Sequence, residues 1–350
     1  MGGDLLEGFR SRILERKPLR LKGGGSKDFY GGPLAGEVLD ASSHAGIVSY
    51  ESTELVITAR GGTPLAELES ALAARRQFLA CEAPDFGRAT VGGAVAAGLS
   101  GPRRATAGSL RDFVLGVKLM DGEGRQLNFG GQVMKNVAGF DVSRLIAGSL
   151  GTLGLILEVS LKVLPLPVAD ATLRFELAQD KALEAMNRWA GRPLPLAATC
   201  WQDGMLTLRL SGARAAVVAA CQKLGGEALA DPAAADFWFA LREQTTVFFT
   251  GDAPLWRFSV PSVTPPLELP GPQLLEWGGA QRWLRADLEA SQLHQAAAKA
   301  GGHATLFRGG DKTGGVFSPL SPALMEVHRR LKQSFDPYGV FNSGRLYPEL

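Results

Sequence analysis

"KNVAGFDVSRLIAGSLGTLGLILEVSLKVLPLP", residues 135–167, carries two signals in succession. Its first part is punctuated by Gly139, Gly148, Gly151 and Gly154. Its second part, "GLILEVSLKVLP" (154–165), is a long apolar run stopped by Pro165 and Pro167. Such a run, bounded by turn residues and rich in branched side chains, predicts a buried strand. The proline pair predicts a domain boundary just after it.

Two more glycine-rich segments precede this one. "LKGGGSKDFYGG" (21–32) has three adjacent glycines, then Ser26 and Lys27. "GRATVGGAVAAGLSGPRR" (87–104) is followed by "AGSLRDFVLG" (107–116). The chain has 44 glycines in 350 residues, well above the usual share of roughly 7%. They are clustered, which suits tight turns and close backbone approach. The first segment lacks the Lys-then-Ser/Thr order of a Walker loop. It also fails the GxGxxG dinucleotide fingerprint, because Asp28 stands where the third glycine would fall. Successive N–H groups in a glycine turn can still cradle a phosphate; a plain glycine turn is the alternative. Three such segments in one domain point to a long ligand lying along the backbone.

Around these segments the first 165 residues alternate strand and helix. "ELVITA" (54–59) and "FVLGVKLM" (113–120) read as strands. "DGEG" (121–124) turns the second into a hairpin. Leu65, Leu68 and Leu72 recur at helical spacing after Pro64. Beyond residue 168 the order becomes βαββαβ, the ferredoxin-like signature. The stretch that follows, to about 310, is similar in kind, with no repeat evident in its residues. Leu324, Val327 and Leu331 mark one face of a last helix.

Net charge is +2, from 37 basic and 35 acidic residues. That balance offers no footprint for nucleic acid and no polybasic membrane anchor. Cys81, Cys200 and Cys221 are far apart, so neither an iron–sulfur cluster nor structural zinc is expected, and no metal. Reduced thiols in a cytoplasmic protein are the expectation. The N-terminus does not read as a secretory signal, and no stretch reaches the ~18 apolar residues of a membrane span.

The segments "RLKGGGSK", "ATVGGAVAAGLSGPRR", "RDFVLGVKLMDGEG" and 135–167 resemble the FAD-binding domain of the vanillyl-alcohol oxidase and p-cresol methylhydroxylase flavoprotein superfamily. Within it they are similar to the branch that oxidises 2-hydroxy acids, and to the FAD-binding subunits of bacterial glycolate oxidases. The resemblance covers residues 18–167 and returns in the tail "FDPYGVFNSGR". Ser343 stands there where relatives usually show proline.

The resemblance implies an α+β fold: a two-part PCMH-type FAD-binding domain (1–167), a ferredoxin-like α+β cap (168–310), and a C-terminal helix and tail (311–350) returning to the first domain. It implies FAD held by Gly23, Gly24, Gly25, Ser26 and Lys27 at the pyrophosphate. Thr90, Val91, Gly92, Gly93 and Ser100 would lie along the ribityl chain and ring. Gly108, Asp112, Gly148, Gly151 and Ile156 would complete the cradle. With Ser26 and Lys27 where some relatives place a flavin-linking histidine, the FAD is expected to be non-covalent.

The function implied is oxidation of glycolate to glyoxylate within a complex. A larger FAD-linked glycolate oxidase subunit and an iron–sulfur subunit would be the partners. The complex would be cytoplasmic, reaching the inner face of the cell membrane only peripherally. Two alternatives stay open: a self-sufficient FAD-dependent 2-hydroxy-acid dehydrogenase of the D-lactate type, and a non-catalytic flavin-binding assembly subunit. Catalytic relatives carry a histidine-rich segment in a longer cap. Here four histidines are scattered, and His303 in "GGHATLFRGG" is the only echo. It is the one catalytic candidate, with a structural role as its alternative. Arg308 and Lys312 could bind a carboxylate or sit on an exposed charged loop. Arg103 and Arg104 could face phosphate or a partner, or be solvated. Trp238, Trp256, Trp277 and Trp283 read as core, with a subunit interface as the alternative.

Overall fold

A computed structural model describes residues 2–131 and 141–350. The opening of the third glycine segment, residues 135–140, lies outside them. The chain divides into two compact units. The first comprises Met1–Leu99, Ser109–Pro165 and Lys312–Leu350; the second comprises Ser100–Gly108 and Leu166–Asp311.

In the first unit, Leu19–Lys22 pairs in parallel with Glu37–Asp40. A five-stranded antiparallel sheet follows the order Ile47–Glu51, Val56–Arg60, Leu155–Lys162, Val114–Met120, Gln126–Gly130. The apolar run after Gly154 takes the central place. Only Glu158 and Lys162 of that strand escape full burial, which is why it reads as a continuous apolar stretch rather than an alternating one. Pro165 ends it after a two-residue pairing with Gln77–Phe78. Helix Leu65–Ala73 buries Leu65, Leu68 and Leu72, the i, i+3, i+7 set. Helix Val91–Ala97 is capped by the Thr90 hydroxyl and stopped by Gly98 at φ +64°.

The last helix, Pro322–Phe335, starts at Ser321, whose hydroxyl accepts from Leu324 N at 3.4 Å. Its anchor is not the periodic apolar set. Leu324 and Val327 are exposed, while Phe335 is buried. Lys332 fixes the end instead, donating to Thr152 O and Phe341 O (both 2.8 Å) and to Asp336.

The second unit is built on one eight-stranded antiparallel sheet. Its first half runs strand Ala169–Glu176, helix Gln179–Ala190, strands Leu196–Gln202 and Met205–Gly212, helix Arg214–Leu224, strand Glu227–Leu229. Those four strands lie in the ferredoxin-like spatial order 4-1-3-2. The second half has strands Leu255–Ser259, Gln273–Glu276, Gln281–Arg285 and His303–Arg308, again in the order 4-1-3-2, reversed across the sheet. The halves join edge to edge where Cys200 pairs with Glu276. The second half keeps its later helix, Ala290–Lys299, but not its earlier one. Pro261, Pro265, Pro266, Pro270 and Pro272 occupy that connection, and proline removes helical donors and clashes with the preceding turn. A shared topology therefore underlies two stretches whose residues show no repeat.

Leu206, Leu208 and Leu210 alternate inward and pack with Leu183, Met186 and Trp189. Trp238, Trp256 and Trp283 are core; Trp283 meets Phe249 and Phe307 edge-on. Trp277 is different: it is half-buried, donates to Gly101 O at 3.0 Å, and carries Arg104 on its ring face at 4.5 Å. Arg103 is not solvated. It is buried, pairs with Asp170 at 3.1 Å and donates to Ser211 at 3.0 Å. Thr106 adds a bond to Ala197 O at 2.8 Å. These five contacts explain why Ser100–Gly108 groups with the second unit. Cys81 and Cys200 are buried thiols, and burial pushes Cys81 up to about 12.

Candidate functional site

The glycines of the first unit serve first to bring backbones together. A side chain on Gly24 would overlap the carbonyl of Arg88, and one on Gly23 would overlap Thr90. Gly61 packs in the same way on the Ile156 carbonyl. A Cβ on Gly92 would lie 2.9 Å from Gly61 O. Gly25 adopts φ +71°, a left-handed conformation that glycine takes without strain. The first and second glycine segments thus dock directly on one another. Asp85 helps set the turn by accepting from Ala89 N, and Thr90 accepts from Gly93 N at 3.3 Å.

A cavity remains between these backbones. Its wall includes Gly23, Gly24, Gly25, Ser26, Lys27, Thr90, Gly92, Gly93, Gly151 and Ile156, all expected at the site. Val91 is buried in the core beside it and is not part of the lining. Gly148 stands at φ +89° with its N–H on Val95 O and is not among the lining residues. Asp112 closes a capping box with Ser109 and does not reach the cavity lining. Ser100 and Gly108 belong to the second unit.

The sequence reading did not select several lining residues. Leu34, Ala41, Ala89, Ala96, Ala97, Leu150 and Leu155 make part of the wall apolar. Gly61 and Gly154 add close backbone approach, and Asn342 and Arg345 come from the tail. Two cues were available: the glycine pair "RGGTP" (60–64) and the tail motif "FNSGR" (341–345).

Charge is concentrated at the glycine-loop end. Lys22 and Lys27 are half-buried. Lys22 Nζ lies 3.8 Å from Asp40, and Lys27 Nζ is 3.4 Å from Ser26 Oγ and 5.2 Å from the Phe86 ring centre. Asp28 is ion-paired with Arg20. An apolar wall with cations toward one end suits a ligand that joins a flat apolar ring to an anionic group.

His303 opens strand His303–Arg308, at the outer edge of the second unit's sheet, with Ser259 as its register partner, and it is exposed. Arg308, in the same unit, donates to Gln244 at 2.9 Å. Lys312, in the first unit, donates to the Phe29 carbonyl. Among the described residues, no helix is long and apolar enough to cross a membrane.

Residues 14–130 match the family described as FAD binding domain. The fold is shared with a solved alkyldihydroxyacetonephosphate synthase at TM-score 0.63 and 14% identity, over 97% of this chain and 74% of that one. Glycolate oxidase subunit GlcD of Bacillus subtilis is 30% identical over 171 residues, 47% of this chain and 36% of its own. Glycolate oxidase subunit GlcE of Escherichia coli K12 is 50% identical over 347 residues, 99% of this chain and 97% of its own. An identity of that depth, running through both units, carries more than a shared cofactor domain does: the chain belongs to the GlcE family of glycolate oxidase subunits.

Proposed function

We propose that the first unit binds FAD non-covalently, and that the chain works as a flavin-carrying subunit of a complex oxidising glycolate to glyoxylate. The observation that carries this reading is the cavity assembled from the glycine segments within a chain of full-length GlcE similarity. Gly23–Lys27 would hold the diphosphate through backbone N–H groups and the Lys27 ammonium. Thr90, Gly92, Gly93, Gly151 and Ile156 would border the remainder of the dinucleotide. No His, Cys or Tyr is among the described residues lining the cavity, which supports a non-covalent flavin. FAD, when bound, supplies a two-electron acceptor for oxidation of a CH–OH group.

Taking the hydroxyl proton needs a base with a pKa near the working pH. Among the described residues, the lining provides no histidine, and its carboxylate, Asp28, is committed to Arg20. A division of labour follows: the larger flavoprotein subunit supplies the substrate base, and an iron–sulfur subunit takes the electrons onward. The complex is cytoplasmic, and any membrane contact is peripheral.

Anaerobic glycolate tests this division. The flavin of the isolated chain is expected to stay oxidised and to bleach once the larger flavoprotein subunit is added. Bleaching in the isolated chain would make it a self-sufficient dehydrogenase. A flavin that no combination reduces would make it an assembly subunit.

A further inference from the structure

The cavity has a wall that the glycine segments do not supply. It comes from the C-terminal tail, through Asn342 and Arg345. Asn342 Oδ1 accepts from Leu21 N at 2.8 Å, and its Nδ2 donates to Leu150 O at 2.6 Å. One amide thereby ties the first glycine segment to the third. Arg345 is 6% exposed. Its guanidinium donates to the carbonyls of Tyr30 and Gly32 and, at 3.4 Å, to that of Asp28. All three acceptors are neutral. The Asp28 carboxylate attracts it through space but is ion-paired with Arg20. Burial pushes the Arg345 pKa down to about 10, so the group is still protonated at neutral pH. A full positive charge is therefore carried by a residue of the cavity wall, hydrogen-bonded only to neutral carbonyls among the described residues. Such a charge is unfavourable in a folded chain until an anion meets it.

We propose that Arg345, braced by Asn342, is a diphosphate-recognition residue of this cavity, so that the tail helps select for the diphosphate that joins the two halves of the dinucleotide. The inference rests on FAD being the occupant. It adds that the positive charge of Arg345, and not only its three carbonyl bonds, contributes to binding. A guanidinium is suited to this because it keeps its charge when buried and presents donors on several edges. Those donors that hold the loop carbonyls fix the geometry in advance of the ligand.

The test compares FAD with riboflavin, which has the same ring and no phosphate, by flavin-fluorescence titration of the purified apo chain. Wild type is expected to prefer FAD. Arg345→Met is expected to lose about tenfold or more in FAD affinity, with riboflavin affinity changed by less than about threefold. Arg345→Lys, which keeps the charge and loses the fork, is expected to bind FAD more weakly yet retain its preference over riboflavin. Equal losses for both flavins in Arg345→Met would make the residue a structural staple and overturn the proposal. Should Arg345→Met fail to fold by circular dichroism, Arg345→Lys decides: a retained preference supports the charge role and a lost preference overturns it. A wild-type chain that binds riboflavin and FAD equally refutes the diphosphate role alone. One that binds neither refutes the flavin reading itself.

Discussion

The two units reach order by different means. In the first, much of the information is in side chains that are absent: Gly23, Gly24, Gly61 and Gly92 let backbones meet, and a cavity is left between them. In the second, it lies in side chains that are present. Alternating leucines, four buried tryptophans and the clamp around Arg103 fill a sheet of two matched halves. Absent side chains leave a motif that can be recognised in a sequence. Packed ones are interchangeable with others of similar volume, so a repeated topology can persist with no repeated residues. The contrast also separates the roles. A region built from close backbone approach can hold a long ligand, while a region built from packed side chains supplies surface and rigidity.

The sharpest way to break this contrast is a single methyl group. Gly24→Ala should destabilise the chain by about 2–4 kcal/mol and abolish flavin retention, because its Cβ overlaps the Arg88 carbonyl. Gly191→Ala, in the second unit, should change stability by no more than ~0.5 kcal/mol. Gly191 has φ −79° and only ordinary contacts near its missing Cβ. Urea denaturation of both variants reads the difference. Similar costs at the two sites would remove the distinction between the units.

A smaller effect is expected at the clamp. Arg103→Met should cost about 1–3 kcal/mol, less than a fully buried pair, because the Asp170 side chain is 42% exposed and retains Arg209 at 3.2 Å. FAD titration of the same variant sharpens the comparison. Ser100 and Gly108 belong to the clamped stretch. A loss of about tenfold or more would assign that stretch to the cofactor site. Unchanged affinity would leave it to the second unit.

The smallest effect concerns pH. His44 is buried in the first unit, and its Nε2 has no hydrogen-bond partner among the described residues. Burial, then Arg60 and Lys118, lower its pKa, against opposing effects of Glu158 and the Leu157 backbone. The folded state therefore keeps the imidazole neutral. The unfolded chain takes up the proton at about 6.5, so stability is full above that value and falls as pH drops below it. His44→Gln should flatten this slope in denaturation curves between pH 7 and 5. The slope will not vanish, because burial also lowers His294. A steeper slope in the variant would contradict the neutral assignment.

What could be read in the sequence follows the same contrast. Both halves of the second unit could be traced strand by strand, because period-2 leucines and turn glycines are local signals. The joining of the halves at Cys200 and Glu276 was not legible, since strand pairing across distant segments leaves no local mark. At the cavity, the lining glycines of the three glycine-rich segments were mostly legible because close backbone approach requires glycine, while Gly61 and Gly154 went unselected. Arg345 was not, because an arginine in a polar tail looks solvated until the carbonyls of Tyr30 and Gly32 are placed around it. Arg103 was unresolved for the same reason: the sequence does not show that Asp170 and Ser211 come to it. The exposed Leu324 and Val327 run the other way. Helical periodicity marks an apolar face without saying what covers it.

The most direct measurement is an absorption spectrum of the purified chain, followed by acid precipitation and a second spectrum of the supernatant. Flavin bands in the first, recovered as free FAD in the second, are the expected result. No flavin bands even after incubation with FAD would contradict the cofactor site. Flavin that stays with the precipitate would contradict non-covalent attachment.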